Sequence, residues 1–389
     1  MSATILYFNY MEGDRIQDMV FAGIRRYATV LGWKAEVVSW SRSRPEDISA
    51  VLREYRPVVG CVVRSCDDNP NLTPGLFGRV PVVYLHAAPS LHGGRIARVS
   101  TDNGAVSRIA FRELSASRSA AFATVDACWN LEWAKERIRV FSGLCSESGM
   151  VCHVFPFRDE TEPERAARLE QWVKALPRKT AVFAVNDRTA AEVAAAAKAA
   201  RRSIPRELKL IGVDNDTAVC ETADPPLSSI QIDYERAGFV AARMIGEGRA
   251  SPHPVAGKRT PPIAIVGPLL AVRRRSTSGS GRREKFVLAA VETIRREASD
   301  GLTPESLIGR FRCSRRLFEI RFREAMGHSV LDEIRHVRLE KACALLAKTD
   351  TAIGAIAGLC GYNSDIALKF AFRKATGMSM REWRNRSRR

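Results

Sequence analysis

No run of eighteen apolar residues occurs in the sequence, so nothing in it is long enough to read as a membrane-spanning helix. The apolar patch Ile5 to Tyr10 has neither a basic lead nor a small-residue cleavage site, and export is not expected. Nine cysteines, an odd number, form no C-x-x-C pair and have no histidine at zinc spacing. They read as reduced, partly buried thiols of a cytoplasmic protein, with no metal site. Absent too are G-x-x-x-x-G-K-S/T, G-x-S-x-G, H-E-x-x-H and a strand-linked G-x-G-x-x-G. Without an activated nucleophile or a phosphate cradle the chain nominates no catalytic residue and no cofactor, and it is not expected to be an enzyme.

Negative charge is also in short supply. Against 61 Lys and Arg stand 43 Asp and Glu, a net charge of +18. The imbalance is concentrated: Gly281 to Arg389 carries 23 basic and 13 acidic side chains, so this quarter of the chain holds +10 of the total. A local excess of that size suits a polyanion, and with no lipid-inserting stripe beside it the polyanion is nucleic acid.

At 389 residues the chain is too long for one ordinary core. Apolar strand-like runs alternate with helical patterns up to about residue 270: Thr4 to Tyr7, Ala35 to Val38, Val58 to Val63, Val80 to Leu85, Ser119 to Val125, Met150 to Phe155, Thr180 to Val185, Lys209 to Val213 and Ile263 to Val266. Such alternation predicts parallel sheets with crossover helices, and the number of strands suits two lobes. Arg273 to Arg283, rich in Ser and Gly, reads as a flexible linker. Beyond it only helical spacing survives. The expected division is 1–272, 273–283 and 284–389.

In the last segment Ser314 is placed to cap a helix from Arg315, with Leu317, Phe318 and Phe322 on its buried side and Arg315, Arg316, Glu319 and Arg323 outward. A short helix, Pro304 to Phe311, precedes it through a tight turn. Ile353 to Cys360, the Gly361-Tyr362 turn and Ser364 to Thr376 repeat the layout, with Phe370 and Phe372 as apolar anchors. The long helical pattern Val330 to Ala347 between the copies spans roughly 27 Å, close to one turn of B-DNA. The run from Ser314 to Gly327, Ile334 to Ala342, Ile353-x-x-Ile-Ala357, Gly361-Tyr362, Phe372-Arg-Lys-x-x-Gly377 and Trp383-Arg384 resembles the AraC-type DNA-binding domain, with two helix-turn-helix motifs. That resemblance implies double-stranded DNA as partner. It places base contacts on Arg316, Glu319 and Ile320 in the first reading helix and on Asp365, Ile366 and Lys369 in the second, with Arg315 beside them. Ile320 and Ile366 stand where polar residues are often met and would suit thymine methyl groups. A plainer reading of these helices is a bundle with a solvated basic face.

In the α/β part, Val182-Phe-Ala-Val-Asn-Asp187 and Lys209-Leu-Ile-Gly-Val-Asp-Asn-Asp216 each end a strand in polar residues, and ligands of open α/β sheets collect at such strand ends. Asn186, Asp187 and Asp214 would then converge, with carboxylate and amide chemistry suited to polyols. Asn9, Arg15, Arg64, Asp102, Arg137 as a guanidinium fork and Trp129 as a platform for a sugar face extend the set. Phe183 to Asp187, Ile204-Pro205, Ile211 to Asp216, Asp224-Pro-Pro-Leu-Ser-Ser-Ile230 and Ala237-Gly238 are similar to the sensor domains of LacI-type repressors, which share the two-lobed type I periplasmic sugar-binding fold.

This second resemblance implies sugar contacts at Asp102, Arg137, Asn186 and Asp214, with Asp187 beside them, and the chain departs from the pattern at Val140 and Ile232. Together the two resemblances imply a cytoplasmic, homodimeric transcription activator that answers to a monosaccharide such as xylose and contacts RNA polymerase. Each site residue also has a plainer reading: Asp214 and Asp102 as helix caps, Arg137 as a surface charge, Trp129 as core. The other classes weighed are a sugar-processing enzyme, whose acid/base carboxylates would lie in the cleft, and an architectural DNA-binding protein, which would bind scrambled DNA nearly as well as any operator.

Overall fold

β1 (Thr4–Asn9) is buried along its whole length because it lies inside a parallel sheet, flanked by β2 (Lys34–Ser39) and β3 (Val58–Arg64). A strand covered on both faces needs a continuous apolar run rather than alternation, and Ile5, Leu6, Tyr7 and Phe8 supply it. The crossovers are α1 (Arg15–Val30) and α2 (Ile48–Glu54), followed by β4 (Val82–Leu85) and β5 (Ile96–Thr101). A second sheet follows in the same manner. Its elements are α3 (Asn103–Ser115), β6 (Ala121–Val125), α4 (Glu132–Glu147), β7 (Cys152–Phe155), α5 (Glu162–Ala175), β8 (Thr180–Ala184), α6 (Asp187–Ala199), β9 (Leu208–Val213), α7 (Thr217–Thr222) and β10 (Ser228–Ile232). The chain then returns through α8 (Tyr234–Gly246) to β11 (Ile263–Val266) of the first sheet and β12 (Pro268–Val272) of the second.

The orders are β2-β1-β3-β4-β5-β11 and β7-β6-β8-β9-β10-β12, so each sheet reverses winding direction once, beside β1 and beside β6. This computed structural model describes residues 3–9, 15–39, 47–64, 72–86, 96–116, 119–250, 261–277, 282–326 and 328–388. Cys66, Gly327 and linker residues 278–281 lie outside the described residues. Two compact units result: Met1–Ser100 with Tyr234–Val266 and Phe286–Arg389, and Thr101–Asp233 with Gly267–Lys285.

The second unit contradicts one expectation. The first part of the presumed linker is packed: Arg274 is buried and donates to Leu227 O at 2.9 Å and Asn215 Oδ1 at 2.7 Å, while Ser276 Oγ donates to Leu210 O at 2.6 Å. Small polar residues look like linker in sequence, yet here they satisfy buried backbone groups of β9 and β10.

In the first unit α1 and α8 cross in direct backbone contact. A Cβ on Gly23 would lie 1.8 Å from Glu235 O, and one on Gly238 would lie 1.9 Å from Val20 O, so only glycine fits at either place. Onto this pair rests the helical C-terminal domain: α9 (Arg282–Glu297), α10 (Pro304–Ile308), α11 (Arg315–Met326), α12 (Val330–Lys348), α13 (Ile353–Leu359), α14 (Asp365–Thr376) and α15 (Met380–Arg388). Glu340 of α12, its side chain 8% exposed, meets Arg26 of α1 at 3.4 Å, Arg236 of α8 at 3.2 Å and His336 at 3.5 Å. Beside them Glu235 pairs with Arg295 of α9 at 3.2 Å and Arg26 at 3.7 Å, and the Arg26 guanidinium covers the Phe239 ring at 4.5 Å.

Each half of the helical domain has its own aromatic centre. Phe318 touches Phe286 and Phe311, each at 5.2 Å, and Phe322 stacks on it at 6.2 Å. Phe372 meets Trp383 edge-on at 5.7 Å within a cluster that includes Leu346, Ile356 and Leu368. Each fully buried aromatic contributes about 1.5–3 kcal/mol. Two expected core positions are not core. Leu317 and Phe370 are exposed because α11 and α14 bury only the stripes Phe318/Phe322 and Leu368/Phe372.

Candidate ligand site and nucleic-acid interface

The carboxyl ends of β6 and β8, with β9 next in order, flank the point where the second sheet reverses direction, the place at which open α/β sheets collect ligands. β8 runs on into Val185-Asn186-Asp187. Asn186 caps α6, its Oδ1 accepting from Thr189 N at 2.8 Å. Asp187 is buried, with Oδ2 accepting from Asp216 N at 2.8 Å, and its Oδ1 occupies space left by Gly212, whose Cβ would come within 2.3 Å. Burial, with the Asp214 carboxylate as a like-charged neighbour, holds Asp187 well above the usual carboxylate range.

Asp214 is held in an unusual backbone conformation, φ 105°, and Asn215 follows at φ 53°. Neither is glycine, so the turn is strained and persists only because its surroundings over-determine it. Those surroundings are visible: Asn215 N donates to Ser229 Oγ at 2.9 Å, its Nδ2 to Gln231 Oε1 at 2.9 Å, and its Oδ1 accepts from Arg274. The cap of α7 is Asp216, which accepts from Ala218 N at 3.0 Å, and not Asp214.

Arg137 is buried rather than a surface charge. Its Nη1 donates to Val185 O at 2.6 Å and its Nε to Asn103 Oδ1 at 3.0 Å, and the guanidinium lies 4.6 Å from the Trp133 ring. Asn103 Nδ2 in turn donates to Glu136 at 2.8 Å. Asp102 caps α3 through Ala105 N at 2.7 Å. The structure therefore brings Arg137, Asn186, Asp187 and Asp214 to the same end of the second sheet, while Asp102 follows β5 of the first sheet and is linked to Arg137 through its neighbour Asn103. Trp129, after β6, is exposed with the Arg188 guanidinium 5.3 Å from its ring centre. Sequence reasoning missed two neighbours there. Arg188 sits in the first turn of α6, and Asp126 follows β6 with burial as the main force pushing its carboxyl up, against hydrogen bonds from Ala127 N and Phe157 N.

The first unit presents its own strand ends separately. Asn9 is buried at the end of β1 with Nδ2 on Gln17, and Arg64 is half-buried at the end of β3. His86, at the end of β4, has φ 59° and lies edge-on to Tyr234 at 6.0 Å. A histidine just past a Val-Val-Tyr-Leu strand was the available signal for it.

In the helical domain α11 and α14 repeat at an interval of fifty residues. Ser314 and Ser364 cap them, Phe318 and Leu368 are buried, and so are Phe322 and Phe372. In this register Arg316 matches Ile366, Glu319 matches Lys369 and Ile320 matches Phe370. Arg315, Arg316, Ile320, Ile366 and Lys369 are exposed and Glu319 and Asp365 half-exposed. Arg315 pairs with Glu305 at 2.9 Å and Lys369 with Asp365 at 2.7 Å. Among the described residues no group of His, Cys, Asp and Glu is arranged to hold a metal ion, and no helix is long and apolar enough to cross a membrane.

Two doubly wound α/β lobes followed by a helical domain with paired helix-turn-helix motifs define a ligand-responsive DNA-binding regulator. The comparisons place it further. Residues 111–277 match the periplasmic binding protein-like domain family and residues 307–386 the helix-turn-helix domain family. Over 365 residues, 90% of this chain and 91% of the relative, the sequence is 28% identical to the xylose operon regulatory protein of Escherichia coli K12. It is 25% identical over 294 residues, 74% of each chain, to the protein of the same name from Haemophilus influenzae. The solved structure of the xylose-binding transcription activator XylR superposes with a TM-score of 0.57 at 23% identity, covering 99% of this chain and 98% of that one. The Lac repressor dimer bound to operator and anti-inducer gives a TM-score of 0.55 at 16% identity over 72% of this chain and 95% of that one, a likeness of fold. The chain is an AraC-type transcription regulator with a periplasmic-binding-protein-like sensor, homologous to the bacterial xylose operon regulators.

Proposed function

We propose that this regulator is a cytoplasmic homodimer that activates transcription in response to a monosaccharide, with xylose the first candidate, and has no catalytic activity of its own. The reading rests above all on the similarity to the Escherichia coli regulator running through sensor and reader in one order, over 90% of the chain. The Asp214 turn adds a physical argument, since a non-glycine residue held at φ 105° just past a strand end is the kind of strain that clusters at ligand sites. The proposed sugar contacts are Asp102, Arg137, Asn186 and Asp214, with Asp187 setting the turn from beneath and Trp129 supplying a ring face; Arg64, at the end of β3, is a further candidate.

Effector binding acts on the reader only through its differential affinity for sensor conformations. The route is physical: α12 of the reader rests on α1 and α8, so a change in the first lobe reaches the domain that holds DNA. Arg315, Arg316, Glu319 and Ile320, then Asp365, Ile366 and Lys369, face successive major grooves, and RNA polymerase is the further partner.

The test is thermal unfolding against a panel of aldoses and polyols, followed by operator binding with and without the active sugar. A shift by one pentose that also changes operator affinity supports the reading. A shift by no sugar refutes the effector class, and equal affinity for scrambled DNA turns the reader into an architectural module.

A further inference from the structure

The fifty-residue register between α11 and α14 exposes an asymmetry in how the two helices meet DNA. On a helix at 100° per residue, Leu368 and Phe372 define the buried side of α14, and Phe370 points away from them, at the centre of the outward face. It is 73% exposed, and Ile366, one turn earlier on the same face, is 74% exposed. The equivalent of Phe370 in α11 is Ile320, 45% exposed, flanked by Arg316 and Glu319. In α14 the matching polar position is Lys369, whose ammonium is engaged by Asp365 at 2.7 Å. The first helix thus offers a guanidinium and a carboxylate beside its apolar residue. The second offers two large apolar side chains whose polar neighbours satisfy each other.

We infer that Phe370, together with Ile366, reads the 5-methyl groups of thymines in the major groove, so that α14 selects its part of the operator by apolar contact rather than by hydrogen bonds to base edges. The inference rests on the DNA-binding reading above. Only thymine presents a methyl group in the major groove, so an apolar pair there has one base to prefer. The surroundings fit DNA rather than protein as the occupant: Arg373 and Lys374 flank Phe370 on the exposed side of α14, and the domain carries +10 of the chain's +18. Apolar side chains of this size standing in water, ringed by cations, are placed to meet a polyanion with apolar spots.

The experiment uses the full chain. A preferred site is selected from random duplexes, and each thymine within it is replaced singly by uracil, which keeps the base pair and removes only the methyl. Loss of one buried methyl contact is expected to weaken binding about fourfold at one or two thymines in the part of the site contacted by α14. Phe370→Ala should abolish that difference while leaving affinity for scrambled DNA unchanged, and being at an exposed position it should leave the unfolding transition in place. Equal binding to thymine and uracil sites by the parent chain overturns the inference, as does a Phe370→Ala variant that still discriminates them. A variant that keeps full site preference but loses transcription activation assigns the face to a protein and also overturns it. A chain with no sequence preference at all would instead be the failure of the regulator reading.

Discussion

Replacing Glu340 by Gln tests how the reader is held. The carboxylate is nearly buried between Arg26, Arg236 and His336. Burial alone would push its pKa up; His336 and the two guanidinium groups outweigh burial and hold it down to about 2, against an ordinary 4.5. At about 1.4 kcal/mol per tenfold, that difference corresponds to about 3 kcal/mol of stability in the charged state. A depressed carboxyl contributes fully above its unfolded pKa and loses the contribution as pH falls toward the folded one, here from about 4.5 to about 2. Glu340→Gln keeps the shape and removes the carboxylate that Arg26 and Arg236 share, with Glu235 still beside Arg26, so at neutral pH it should cost about 2–3 kcal/mol. The assay is urea unfolding followed by circular dichroism, with each transition fitted separately because the chain has more than one unit. The loss should appear in the transition of the unit that contains α1, α8 and α12, and it should shrink between pH 5 and pH 3. A change below about 0.5 kcal/mol at pH 7 refutes the reasoning, because exposed surface pairs fall in that range. A cost independent of pH refutes it as well, and Arg236→Gln in the same background measures the coupling directly.

Asp187→Asn should stabilise the sensor at neutral pH by on the order of 1 kcal/mol by removing a buried carboxylate beside Asp214. Since the raised pKa favours the protonated folded state, the parent loses stability as pH rises above the usual carboxylate range, whereas the variant does not, and melting temperatures at pH 5 and pH 8 check the sign. Asp214→Ala should abolish the sugar-induced thermal shift while leaving DNA binding intact; retained sugar affinity would remove Asp214 from the site. Arg316→Ala should weaken specific binding by about 1–3 kcal/mol if the side chain reads a base, and an equal loss on scrambled duplex would make it a phosphate contact. Operator affinity should fall steeply with salt, with a log–log slope near −0.9 per phosphate contacted, and a flat dependence would contradict the basic reader.

Most of the fold was legible because parallel strands buried on both faces are short apolar runs. Three strands were not. β10 reads Ser-Ser-Ile-Gln-Ile, and its buried polar atoms are satisfied by partners distant in sequence: Ser228 by Arg274 and Thr277, Gln231 by Asn215. β5 carries the buried Arg98, and β12 begins with a proline that an antiparallel edge strand tolerates. That Asn186, Asp187 and Asp214 stand together just past strand ends was legible, because polar residues there have few places to go. Their states were not. Nothing in the sequence shows that Arg137 is sealed against Val185 O, that Asp187 is enclosed, or that Asp214 sits at positive φ, since each depends on tertiary neighbours. Phe370 was misread for a simpler reason: an apolar residue in an amphipathic helix was assigned inward before the phase set by Leu368 and Phe372 was applied.

The equal phase of α11 and α14 makes their outward residues interchangeable parts. Because Ser314 and Ser364 start the two helices alike and the same positions anchor each to its own aromatic core, the triplets Arg316/Glu319/Ile320 and Ile366/Lys369/Phe370 can be exchanged, Arg315 and Asp365 travelling with them, without touching a buried side chain. Such a transposed reader should recognise an operator whose two halves have changed places. New target sites could then be composed one helix at a time, with the sensor and its sugar response carried along unaltered.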